Sequence, residues 1–156
     1  MNHLRTLEQD NLITDGDFDD NELSSEWQIN GDYELHWDGY IRNGLFLNDH
    51  SITKLDISNK LIEGKSYRFK MYAKVVSNLL QNQRIIVQYF NPRLLEGVTI
   101  AEGTFEVENE WIHVESLTSF KAEQNNIFII TSEFNGDIII DHASGGVSNC
   151  FLVCYF

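Results

Sequence analysis

At 156 residues the chain suits one domain, long enough to bury a hydrophobic core without disulfide staples. Apolar residues at 42% and aromatics at 12% exclude a disordered or low-complexity chain. Its 24 acidic against 11 basic residues give a formal charge of −13, and the bases are scattered, which disfavours nucleic acid and anionic membrane surfaces as partners.

Residues 1–10 are polar and read as an N-terminal extension with no signal-peptide run. Localisation stays open: either the protein is not exported by the general secretory route, or the chain is a module of a larger extracellular protein or particle. No stretch approaches the roughly 20 apolar residues of a membrane helix, so no membrane insertion is expected.

Residues 11–147 read as one binding domain. In chain order, 33–37 and 40–42 flank Asp38-Gly39, a hairpin signal. Asn43-Gly44 leads into 45–47, and 51–57 forms the next strand. Over 67–75 the period is two: Tyr67, Phe69, Met71, Ala73 and Val75 are apolar, while Arg68, Lys70 and Lys74 alternate with them. Two stretches, 79–83 and 93–96, allow a turn of helix each.

Residues 85–90 are β-branched and aromatic and stop at Asn91-Pro92, and 98–107, 111–120 and 127–134 read as further strands. Asn135-Gly136-Asp137 then predicts a hairpin turn into 138–141. Many short strands with Gly, Asn and Asp turns predict an all-β, two-sheet antiparallel β-sandwich or barrel.

The chain closes on 148–156, an apolar strand or tail. Cys150 and Cys154 lie in it, about 13 Å apart if it is extended, too far for a mutual disulfide. They read as small, reduced apolar residues, and the segment as a buried strand or a patch for self-association or a protein partner.

A resemblance fixes the topology. The run Asn11-Leu12-Ile13-Thr14-Asp15-Gly16-Asp17-Phe18-Asp19, followed by Trp27, resembles the opening of galactose-binding-like jelly rolls, especially the carbohydrate-binding modules attached to xylanases and endoglucanases. Gly64-Lys65-Ser66-Tyr67 is similar to that family's turn before its central strand. Glu110-Trp111-Ile112-His113-Val114 is similar to its tryptophan-led strand, and Gly136-Asp137-Ile138-Ile139-Ile140-Asp141 to its last strand. His142 stands where the family's closing motif has a second acid.

The resemblance implies a jelly roll with a structural calcium, held by Asp19, Asp141 and backbone carbonyls where the first and last strands meet. Calcium takes six to eight oxygens, so carboxylates are suitable ligands; otherwise Asp141 caps a turn and the neighbouring acids are solvated. The resemblance also places Trp27 and Trp111 in the core.

A lectin-like, carbohydrate-binding module would need exposed rings, because a pyranose presents an apolar C–H face that stacks on them. Trp37 and Tyr40, flanking Asp38-Gly39, are the first choice of platform. Arg68, Lys70, Tyr72 and Lys74 on the solvent side of 67–75, together with Gln88, add a polar groove, unless that face is an ordinary solvated one.

Catalysis finds no support. There is no nucleophile elbow, phosphate loop or zinc-protease motif, and the five histidines lack metal-ligand spacing. Two readings stay open: a non-catalytic glycan-binding module, and an interaction or assembly domain of the same fold, such as a phage-tail, toxin or surface-assembly component. A fold shared by many functions does not decide between them.

Overall fold

The computed structural model describes residues 11–49, 51–76, 83–116, 120–123, 126–132 and 136–147. Eleven strands make up its regular structure: β1 (Trp27–Asn30), β2 (Tyr33–Asp38), β3 (Asn43–Leu47), β4 (Ile52–Leu55), β5 (Ser66–Val75), β6 (Arg84–Asn91), β7 (Glu96–Thr104), β8 (Ile112–Glu115), β9 (Phe120–Lys121), β10 (Ile127–Ser132) and β11 (Ile138–Val147). The only helical piece among the described residues is a 3-10 turn at Ser58–Lys60.

The strands form two antiparallel sheets. One runs β1-β4-β10-β6-β7, the other β2-β3-β11-β5-β8 with β9 added on β5. The chain passes repeatedly from one sheet to the other, which gives the predicted all-β jelly-roll sandwich.

Alternation decides which face each residue takes. Phe69, Met71, Ala73 and Val75 of β5 enter the core, and so do Leu45 and Leu47 of β3 and Val114 of β8. Facing them from the other sheet are Ile85, Val87, Tyr89, Phe128 and Ile130. Phe69 and Phe128 stack between the layers at 5.6 Å. Burying each of the Val, Leu, Ile, Met and Phe side chains among these contributes about 1.5–3 kcal/mol.

The opening segment is tied to the last strand. Leu12 N–H donates to Gly145 O and Ala143 N–H to Gly16 O, both at 2.9 Å. A Cβ on Gly16 would collide with the Ala143 carbonyl oxygen, so glycine is required for this approach. Trp27 is buried as expected: its ring meets Phe18 edge-on at 5.1 Å, and its Nε1 donates to Thr14 O at 2.8 Å.

Several expectations change. Residues 40–42 are not a return strand but part of the β2–β3 turn, closed by Gly39 N–H to Arg42 O at 2.9 Å. Nor does Asn135-Gly136-Asp137 join a hairpin, because β10 and β11 lie in different sheets, each already flanked by two partners. The 111–120 strand is two pieces, β8 and β9. Residues 93–95 belong to a turn, and Glu96 already opens β7, so 93–96 is not a turn of helix. The last strand continues past Asp141 to Val147 through a bulge. The tail 148–156, Asn135 and most of 79–83 lie outside the described residues.

Candidate functional site

The outer face of the β2-β3-β11-β5-β8 sheet is where the chemistry-bearing side chains collect. Register sets its rows: Phe46 opposes Ile139, which opposes Lys74. In the next row Asp141 opposes Tyr72, which opposes His113, and further along Lys70 opposes Glu115. Ile139 is only 1% exposed although it points outward, so this face carries a covering layer instead of meeting bulk water.

Two bulges build that layer. β2 shifts register between Glu34 and Trp37, with His36 at φ 67°, and β11 shifts between Asp141 and Ser144, with His142 at φ 52°. A non-glycine residue in the left-handed region is strained, and a bulge re-aims the side chains beside it. At the second bulge Asp141 keeps the outward side that alternation gives it, His142 departs from the alternation to line the same cleft, and Ala143 returns to the core.

Asp141 is fully buried and organises the β2–β3 turn. Its Oδ2 accepts the backbone N–H of Tyr40 at 2.8 Å and of Ile41 at 3.2 Å. Its Oδ1 accepts the N–H of His142 at 2.7 Å, and His142 Nδ1 lies 3.1 Å away. Asp19 supports the same turn from the opening segment, accepting Asn43 N–H at 3.1 Å.

Held there, the Tyr40 ring lies flat on Tyr72, centroids 3.8 Å apart and planes 6° from parallel. Trp111 meets Tyr40 edge-on at 5.9 Å, and His113 packs against Tyr72 at 4.8 Å. The Tyr72 hydroxyl is held above its ordinary value of 10.0, chiefly by its hydrogen bond with Tyr40 and then by desolvation.

A cleft of about 560 Å³ opens beside this stack. Its lining includes Tyr40, Tyr72, Lys70, His113, His142 and Asp17, an apolar wall with donors and acceptors around it.

Trp37 is on the same face and 38% exposed. Its ring stacks on Phe46 at 4.5 Å, and its Nε1 donates to Glu34 Oε2 at 2.6 Å. Arg68 shares the outer side of β5 but opposes Gly146, away from the cleft lining. Gln88 does not join them: it sits on β6 in the other sheet, where it opposes Thr99 and Ile129.

Trp111 departs from its expected place in the core. It is half-buried beside Tyr40, with the Lys74 ammonium 4.9 Å from its ring centre. Sequence reasoning also missed Phe46, His113 and His142. The alternation of β8 could have brought His113 outward with β5's Tyr72, whereas no local signal marks a bulge at His142.

Asp19 and Asp141 do converge on one turn, but the donors they meet are N–H groups. All three Asp141 bonds come from backbone N–H, and Asp19 spends Oδ1 on Asn43 with Arg42 3.9 Å from its other oxygen. Among the described residues no group of three or more His, Cys, Asp or Glu side chains is placed to hold a metal. Calcium takes six to eight oxygens, so backbone carbonyls would have to join these two carboxylates to hold one.

No protein-family model matches the chain, and no curated protein sequence does. Solved structures do match in fold. The xylan-binding domain CBM22-1 of Paenibacillus barcinonensis Xyn10C superposes with a TM-score of 0.65 at 12% identity, over 88% of this chain and 94% of that one. TmCBM61, solved in complex with β-1,4-galactotriose, gives 0.61 at 14% identity over 88% and 99%. The Clostridium thermocellum Xyn10B fragment containing CBM22-1 and GH10 modules, complexed with xylohexaose, gives 0.59 at 18% identity. The match covers 79% of this chain and only 26% of that larger one. These likenesses establish the galactose-binding-like jelly-roll fold.

Proposed function

We propose that the outer face of the β2-β3-β11-β5-β8 sheet binds carbohydrate and performs no chemistry on it. The observation that carries this reading is the ring array of Tyr40, Tyr72, Trp111 and Trp37 on one sheet face, with Tyr40 44% and Trp37 38% exposed. Rings give an apolar platform for the C–H face of a pyranose, and the imidazoles, Lys70 and Asp17 in the cleft reach its hydroxyls. Solved modules of the same fold whose names record xylan or galactotriose binding support the reading.

Glycoside hydrolysis uses two carboxylates flanking the scissile bond. Among the described residues lining the cleft Asp17 is the single carboxylate, which supports a binding module rather than a hydrolase.

Affinity electrophoresis against soluble polysaccharides, including xylan and β-1,4-galactan, tests this. Retardation by at least one glycan, abolished by Tyr40→Ala or Trp37→Ala and kept by Gln88→Ala, is expected. No retardation by any glycan, or retardation indifferent to both rings, overturns it and turns the search to protein partners of an assembly domain.

A further inference from the structure

Lys74 occupies an unusual environment for a lysine. Exposed lysines such as Lys65 need no partner, because water solvates them. Lys74 is half-buried, its ammonium 4.9 Å from the Trp111 ring centre, with outward-pointing Ile139 as its register neighbour and Phe46 beyond that. Among the described residues it has no carboxylate within 4.0 Å, although the chain holds 24 acids.

A half-buried cation on an aromatic ring is fixed in direction and partly stripped of water, so it gains more from an anion than a solvated lysine does. On the far side of the Tyr40–Tyr72 stack, Lys70 lines the cleft, again with no carboxylate within 4.0 Å. Four residues along β5 place the two lysines about 13 Å apart on one face.

The acids nearby do not cancel this arrangement. Asp141 is buried and occupied by backbone donors, and Glu34 accepts from Trp37. Glu115 and Asp17 lie toward Lys70. Glu108 and Glu110 flank Asn109, whose N–H meets Val75 O, and neither forms an ion pair within 4.0 Å with the Lys74 ammonium. The whole-chain charge of −13 opposes a polyanion at long range, but screening over about 8 Å at physiological ionic strength leaves a bound group to feel its immediate neighbours.

We propose that this face selects an acidic glycan, a sugar chain bearing carboxylates, with a carboxylate seated on Lys74 beside Trp111 and its pyranose rings on the aromatic array. The proposal rests on the carbohydrate-binding reading above and adds the charge of the ligand to it.

The test pairs polygalacturonate and glucuronoxylan with their carboxyl-reduced counterparts, at fixed physiological ionic strength, against wild type, Lys74→Gln, Lys70→Gln and Tyr40→Ala. At least one carboxylated form should bind about threefold to tenfold more tightly than its reduced counterpart, the range of one partly screened charge-assisted bond. Lys74→Gln should erase that difference between the two forms, and Tyr40→Ala should weaken binding of both.

If reduced and carboxylated forms bind alike, or Lys74→Gln leaves the difference intact, the acidic-glycan proposal is overturned and the carbohydrate reading stands. If no glycan binds at all, both fail together.

Discussion

Across 101 residues of sequence, the backbone N–H of Tyr40 donates to Oδ2 of Asp141 at 2.8 Å. Asp141 is the register partner of Tyr72, so this one bond carries the β2–β3 turn over β11 and seats the Tyr40 ring on Tyr72. The turn is confined further by Gly39, where a Cβ would collide with the Asn43 backbone and approach Asp141 Oδ2 to 2.7 Å. A buried carboxylate thus places an exposed ring.

Asp141→Ala should therefore act on stability and binding together. It strands three backbone N–H donors, a loss of about 2–4 kcal/mol, and frees the turn. Asp141→Asn should cost roughly half as much, because one amide oxygen can still serve Tyr40 and Ile41 while the NH₂ faces the N–H of His142. Chemical denaturation of both beside Tyr40→Ala checks this: Tyr40→Ala should impair glycan binding with a stability change within about 1 kcal/mol.

The fold was legible where alternation is strict. The sequence 67–75 states its inward and outward faces residue by residue, and β5 has them as read. Asn135-Gly136-Asp137 misled because turn chemistry is local, while the choice of sheet for β10 and β11 is a matter of long-range pairing. Asp38-Gly39 marks a turn, and the rings on either side of it, Trp37 and Tyr40, are exposed. Gln88 was misassigned because period two gives the face of a strand but not the sheet it belongs to. Trp111 was hidden for the opposite reason: the family resemblance assigned it to the core, and its ring covers the outer face instead.

Calcium should leave the protein's melting point unchanged. An ion bound at 100 times its dissociation constant would add about 2.7 kcal/mol, several degrees for a domain of this size. With Asp19 and Asp141 already serving N–H donors, thermal melts in millimolar calcium and in excess chelator are expected to coincide. A chelator-induced drop of several degrees would show that those carboxylates rearrange around an ion.

In the opening loop, burial first, and then the hydrogen bond and charge of Asp20, raise the Asp15 carboxyl above its ordinary 3.8. A raised folded-state pKa means the folded protein binds the proton more tightly than the unfolded chain. This contribution therefore falls as pH rises from 3.8 through the raised value, and the penalty is full above it. Asp20→Asn removes the like charge and offers Asp15 a donor, so it should raise the melting point at pH 7. The gain should shrink as pH drops toward 3.8; melts across that range that show a constant gain would point to another cause.

Tyr72 offers a direct readout of the ring stack. Hydrogen bonding with Tyr40 is the first cause of its raised pKa, with desolvation second. Tyr40→Phe keeps the ring, and so the platform, but deletes the hydroxyl partner. The Tyr72 phenol should then ionise closer to 10.0, seen as an earlier tyrosinate rise in an ultraviolet titration, with Tyr72→Phe identifying which transition belongs to it. Glycan binding should survive Tyr40→Phe and fail in Tyr40→Ala, because stacking needs the ring and not its oxygen. Were Tyr40→Phe to lose binding as completely as Tyr40→Ala, the hydroxyl itself would be the sugar contact, and stacking on the ring would not carry the affinity.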